Sequence, residues 1–170
     1  MLKILIVEDD AALASTLKYL VEDNPRYRVV GIAEDLAGTL TVLEKEEPDL
    51  ALVDLHLARG CTGFSVAVRL NDAAIPCLFV SGKAPAFAMP DLALGCLMKP
   101  FTGDDVHRAL AMAEDMMRGR ETLRPRVPPN FTIYEADESA DVGRREQQVF
   151  VPARPSLTRR LGQWIVGTAH

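Results

Sequence analysis

The sequence predicts a three-layer α/β domain built on a parallel sheet, and three observations predict it. Short β-rich runs alternate five times with stretches whose apolar residues recur at helical spacing, all within residues 1–118. The run Leu50-Ala51-Leu52-Val53 is apolar without interruption, which marks a strand covered on both faces. Capping and helix-stopping residues stand at the junctions. Strand–helix alternation of this kind builds a parallel sheet with right-handed crossovers.

Leu2 to Val7 (LKILIV) opens the chain as the first strand. Asp10 can cap a helix carrying Leu13, Leu17, Leu20 and Val21. Tyr27 to Ala33 is the second strand, and Asp35 caps a helix with Leu36, Leu40 and Leu43 that stops near Pro48. Leu50 to Asp54 is the third strand. Gly63 to Asp72 is the third helix, with Phe64, Ala67, Val68 and Leu70 as its apolar residues. Pro76 to Ser81 is the fourth strand. Pro85 and Pro90 leave room only for a short or broken helix before the fifth strand, Gly95 to Met98. Thr102 caps the last helix of this series, with Asp105 completing a capping box and Val106, Leu110, Ala113 and Met117 on one face.

Composition divides the chain. Residues 1–118 hold 11 Lys/Arg against 18 Asp/Glu, a net of −7, whereas residues 119–170 hold 8 Arg against 6 acids, a net of +2. We therefore read a domain at 1–118 and a Pro/Arg-rich extension at 119–170. The overall charge of −5 argues against nucleic acid as the main partner. Cys61, Cys77 and Cys96 match neither a zinc spacing nor an even disulfide framework, so reduced, largely buried thiols are expected. The first apolar run is too short for a signal peptide, and no stretch is long enough to span a membrane, so a cytoplasmic location is expected.

In parallel sheets of this kind, sites form at the carboxyl ends of the strands. There the first strand ends in Glu8-Asp9-Asp10, the third in Asp54, the fourth in Ser81-Gly82 and the fifth in Lys99-Pro100-Phe101. Each alone is an ordinary turn or cap. Together they place several carboxylates, a hydroxyl and an ammonium on one edge. Crowded carboxylates need compensation, and Mg²⁺ suits an all-oxygen donor set. An ionised aspartate beside Mg²⁺ and a lysine is a good acceptor for a phosphoryl group, with a hydroxyl to bind one of its oxygens. Asp54 is the candidate nucleophile.

These motifs resemble the receiver domains of two-component response regulators. "ILIVEDD" is similar to their opening acidic motif, "ALVDLHL" to the phosphoacceptor strand, "PCLFVSG" to the Ser/Thr strand and "LMKPF" to the Lys-Pro turn. The resemblance covers residues 1–118 and implies a flavodoxin-like, doubly wound, five-stranded sheet of order 2-1-3-4-5 with a C-terminal extension. It implies that Glu8 and Asp9 hold Mg²⁺ with Asp54 and the main-chain carbonyl of His56. It implies that Asp54 takes the phosphoryl group from a histidine kinase or histidine phosphotransfer protein, and that Ser81 and Lys99 contact its oxygens. It also implies a cis Lys99–Pro100 bond. His56 is read as contributing its backbone alone, and His107 as an exposed helix residue.

This sequence departs from the family pattern in three places. The glycine after the phosphoacceptor comes one residue late, at Gly63. Cys96 stands where receivers often place a switch aromatic. The segment from Ser81 to Lys99 is a few residues short. In the extension, Phe131 to Glu135 and Gln148 to Val151 can form a hairpin. Ser156 can cap a short amphipathic helix near 156–166 with Leu157, Leu161, Trp164 and Ile165 on one face. No DNA-binding output domain is recognisable, so output through protein contacts, with a downstream partner or a second copy, is expected. Two competing readings remain. A Mg²⁺-dependent phosphatase of the haloacid dehalogenase type would need an Asp-x-Asp motif at the first strand. A receiver-like module working without phosphorylation would lack Asp54, Asp9 or Lys99.

Overall fold

The computed structural model describes residues 1–57, 62–119 and 127–134. Along them run β1 (Leu2–Val7), α1 (Ala11–Glu22), β2 (Tyr27–Ala33), α2 (Leu36–Leu43), β3 (Leu50–Asp54) and α3 (Gly63–Asp72). Then come β4 (Cys77–Ser81), β5 (Gly95–Met98), α4 (Gly103–Met117) and β6 (Phe131–Ile133). The five expected strands pair in parallel in the order β2-β1-β3-β4-β5. Cys61, the expected strand at 148–151 and the expected helix near 156–166 lie outside the described residues.

Period-two alternation divides the sheet into two cores. Ile4, Ile6, Leu50, Leu52, Leu78, Val80 and Leu97 face α1 and α4. Leu5, Val7, Ala51, Val53, Cys77, Phe79 and Cys96 face the side covered by α2 and α3. This double coverage is why the central strands read as unbroken apolar runs. The helices start where the caps were placed. Asp10 accepts from the Ala12 and Leu13 N–H groups, Asp35 from Gly38, and Thr102 and Asp105 close a reciprocal capping box. The Lys99–Pro100 bond is cis.

The structure corrects several expectations. The sheet has a sixth strand, because Phe131–Ile133 pairs antiparallel with β5. A fifth parallel strand at the sheet's end would leave a row of unpaired backbone groups, and β6 takes them up. Gly95 permits the close approach, since a Cβ there would overlap the Thr132 carbonyl oxygen. No helix forms between β4 and β5. Only a single turn is made, with Leu92 and Ala93 N–H groups both donating to the Met89 carbonyl at 3.0 Å. Leu40 and Val68 are exposed, and Thr39 and Val66 take the inward positions of their helices. The reading is one residue off in α2 and two in α3, an error of face to which short helices are most prone.

Two polar residues of α4 are also better placed than their surface pattern indicates. His107 is half-buried, and its Nε2 donates to the Leu20 carbonyl at 2.7 Å, an orphan acceptor in the last turn of α1. Glu114 is buried and clasped by Arg26 at 2.6 Å and Arg118 at 2.7 Å. Cys77 and Cys96 are free and buried, and burial pushes their thiols up to about 12 and about 11, which makes them poor nucleophiles.

Candidate functional site

The carboxyl ends of β1, β3, β4 and β5 bring Glu8, Asp9, Asp54, Ser81 and Lys99 to one edge of the sheet. Asp54 is the last residue of β3, and the register places it beside Val80, one residue before Ser81. Glu8 follows β1, and its N–H is held by the Ala33 carbonyl at the end of β2 at 2.9 Å. Lys99 follows β5, with its N–H donating to the Ser81 carbonyl at 2.8 Å. Backbone pairing thus fixes every one of these positions before a side chain is considered.

Lys99 is the hub of the charge network. Its Nζ donates to Asp54 Oδ2 at 2.7 Å and to Glu8 Oε2 at 3.0 Å. The lysine side chain is 22% exposed, against 3% for Glu8 and 7% for Asp54. Burial opposes the ammonium, but its bonds to Asp54 and Glu8 outweigh this, and its pKa lies above the ordinary value. The second oxygen of Asp54 accepts from the His56 N–H at 2.9 Å. The second oxygen of Glu8 accepts from the Asp10 N–H at 3.2 Å. Burial raises the Glu8 carboxyl above its usual range. The nearby Asp54 adds to this, and the bonds from Lys99 and Asp10 offset only part of it. One ligand atom from each of Glu8, Asp9 and Asp54 can be chosen such that all three lie within 4.8 Å of one another. Three carboxylates and one ammonium leave net negative charge, and the donors are all oxygen, which fits a hard divalent cation.

The raised Glu8 pKa has a stability consequence with a definite sign. A carboxyl raised in the folded state contributes stability below its unfolded value, about 4.3, and loses it as pH rises through the folded value. Ionised Glu8 therefore costs stability at neutral pH. Glu8→Gln is expected to unfold at higher urea than wild type at pH 7 in EDTA, with the gap narrowing as the pH falls through the raised folded value and gone below about 4.3. Urea titrations across that range check it.

Ser81 is fully buried, and its hydroxyl is engaged away from Asp54. It donates to the Lys83 carbonyl at 2.7 Å and lies 3.2 Å from His56 Nδ1. A hydroxyl has one proton, and the Lys83 carbonyl takes it, so His56 Nδ1 stands as the donor to Ser81 Oγ. The His56 side chain is thus part of the site, in addition to the backbone role expected of it. Sequence reasoning missed this contact because residues 56 and 81 meet only through the pairing of β3 and β4.

Gly63, the glycine that comes one residue late in the loop, packs against the end of β3. Its N–H donates to the Leu55 carbonyl at 3.2 Å, and a Cβ on it would overlap the Asp54 carbonyl oxygen. The N-terminus of α3 is therefore pressed directly onto the backbone of Asp54. Gly63→Ala is expected to cost about 1–3 kcal/mol of stability by overpacking, measured by denaturant titration.

Cys96 has an aromatic neighbour from an unexpected source. Tyr134, just after β6, is buried in the same core and sits edge-on to Phe79, with ring centroids 6.5 Å apart. Its hydroxyl lies beside the Cys96 thiol, and burial raises its pKa above the ordinary value.

Five parallel strands in this order, an acidic cluster at their carboxyl edge and a lysine bridging to the central aspartate define a receiver-type α/β domain. Residues 4–111 match the response regulator receiver domain family, and the chain belongs to it. A protein-glutamate methylesterase/protein-glutamine glutaminase of Syntrophus aciditrophicus is 30% identical over 93% of this chain and 49% of its own length. The sensory transduction protein LytT of Bacillus anthracis is 30% identical over 92% of this chain and 61% of its own length. The chain thus spans about half to three-fifths of these curated relatives. Among solved structures, a CheY-like receiver domain protein from Methanospirillum hungatei superposes with a TM-score of 0.60 at 25% identity, covering 68% of this chain and 95% of its own. The N-terminal domain of a response regulator/sensory box/GGDEF protein from Carboxydothermus hydrogenoformans gives 0.60 at 26% identity, covering 69% of this chain and 97% of its own. Among the described residues, no helix is long and apolar enough to cross a membrane.

Proposed function

We propose that the protein is the phosphoacceptor of a two-component relay, with Asp54 the acceptor. The observation that carries this reading is the Asp54 carboxylate itself, buried, bonded to Lys99 Nζ at 2.7 Å and grouped with Glu8 and Asp9. One Asp54 oxygen attacks the phosphorus of a phosphohistidine on a histidine kinase or histidine phosphotransfer protein. The P–N bond breaks as the O–P bond forms, and the imidazole leaves with a proton from solvent. Lys99 neutralises charge on the transferring oxygens, and the Ser81 hydroxyl turns from the Lys83 carbonyl to bind one of them.

Glu8, Asp9, Asp54 and the His56 carbonyl would hold Mg²⁺. When bound, the cation neutralises the carboxylates and the phosphoryl oxygens together. Residues 1–118 form the receiver unit in this reading, and 119–170 an extension of which 127–134 docks as the sixth strand. Output runs through protein contacts, with a downstream protein or a second copy as partner, in the cytoplasm. The test is incubation with Mg²⁺ and acetyl phosphate followed by intact-mass measurement. One added phosphoryl group, stable in acid, labile in base and absent in EDTA, is the expected result. A chain that stays unmodified under these conditions sinks the proposal.

A further inference from the structure

We propose that Asn130 is a positioning residue for Lys99, and that it couples segment 127–134 to the phosphoacceptor pocket. This rests on the reading of Asp54 as acceptor and adds to it a residue beyond the family match at 4–111.

The geometry is specific to Lys99. The Asn130 carbonyl accepts from the Met98 N–H at 2.7 Å. Its side-chain Nδ2 donates to the Met98 carbonyl and to the Pro100 carbonyl, each at 3.1 Å, with Asp105 Oδ2 at 3.5 Å. One amide therefore grips the chain on both sides of Lys99. The Lys99 N–H itself is held by the Ser81 carbonyl at 2.8 Å. A lysine stem has four rotatable bonds, so where its backbone sits decides whether Nζ reaches Asp54 and Glu8 together. Asn130 and β4 fix that point from opposite sides.

The amide has no better explanation as a space-filler. Three oxygens surround one end of it, which identifies that end as the nitrogen. The other end, Oδ1, is buried without a partner among the described residues. A buried acceptor left unpaired is costly, and an apolar residue of the same size would avoid the cost. What the amide supplies is the grip of its nitrogen on the Lys99 turn. Asp105, the third oxygen, also closes the cap of α4, so the same amide links β5, the turn and the helix.

The coupling runs both ways. Lys99 Nζ sits on Asp54 Oδ2, and a phosphoryl group on Asp54 presents new oxygens to which the ammonium re-aims. That shift acts on a turn whose two carbonyls are tied to Asn130, and hence on β6. By linkage, whatever phosphorylation does to the docking of β6, docking does equally to phosphorylation.

The experiment uses the full 170-residue chain and acetyl phosphate with Mg²⁺. Asn130→Leu is expected to lower the maximal labelling rate about tenfold while leaving the half-saturating acetyl phosphate concentration unchanged, because Lys99 acts on charge that develops during transfer. In a Lys99→Ala background, Asn130→Leu should cause no further loss. An unchanged rate, or an equal loss in both backgrounds, overturns the proposal. A second readout needs no phosphorylation. The ¹³Cε resonance of Lys99 should shift in Asn130→Leu and stay in place in Thr132→Val, a surface change on the same strand. An unmoved resonance in Asn130→Leu also overturns the proposal. Asn130→Ala replaces Asn130→Leu in both assays if the latter does not fold. If the wild-type chain takes no label, the acceptor reading fails, and the Lys99 resonance alone decides the positioning role.

Discussion

Asp54→Asn is expected to take no phosphoryl group from acetyl phosphate, a loss of roughly a thousandfold or more, as for removal of a nucleophile that acts as part of a unit. The carboxamide keeps the size and most of the contacts of the carboxylate. Its one oxygen can accept from Lys99 or from the His56 N–H, which now bond separate carboxylate oxygens at 2.7 and 2.9 Å, so a single hydrogen bond is given up. The fold should therefore survive, and circular dichroism and the unfolding midpoint should show it. What is lost is the charge that attacks phosphorus. Glu8 and Asp9 stand close enough to inherit the label if Asp54 were only a metal ligand. Intact-mass labelling of Asp54→Asn separates these cases, and a persistent phosphoryl group would assign the acceptor elsewhere.

Asp9→Ala is expected to weaken Mg²⁺ binding by about a hundredfold or more, since even residues that only orient a metal ligand are worth roughly 10- to 100-fold. Mg²⁺ gives up hydration water reluctantly, so a site needs concentrated negative charge to hold it. Without Asp9, the remaining carboxylates are Glu8 and Asp54, and both already share Lys99. The ammonium then balances much of the charge that would draw the cation. Asp9 is only partly buried and belongs to neither hydrophobic core, so stability should change little. Calorimetric titration with Mg²⁺ reads the affinity directly. A dissociation constant equal to that of wild type would remove Asp9 from the ligand set and place the cation on other donors.

Much of this architecture was legible in the chain because it depends on local patterns. Apolar runs bounded by capping residues gave the five strands and their helices, and Asp10, Asp35, Thr102 and Asp105 cap where their side chains predict. The acidic cluster and Lys99 were legible for a different reason. Each ends a strand, and parallel pairing carries all strand ends to one edge. Short helices were read less well. Leu40 and Val68 fit an apolar pattern equally well on a rotated face, and only packing against β2 and β3 chose Thr39 and Val66 instead.

The sequence by itself determined the class of fold, the edge at which chemistry can occur and the residue types gathered there, because strand period, capping and parallel topology are properties of neighbouring residues. Only the tertiary structure decided what those residues touch. It turned the Ser81 hydroxyl toward Lys83 and His56, pressed Gly63 onto the Asp54 carbonyl and buried Glu114 between two arginines. It also gave the strand at Phe131–Ile133 its partner, the free edge of β5, with Asn130 on the Lys99 turn and Tyr134 in the core beside Phe79. The physical reason is common to all of these. Each contact joins residues distant in the chain whose meeting is set by sheet register and by the free edge of β5, and neither leaves a trace in the spacing of residues along one segment.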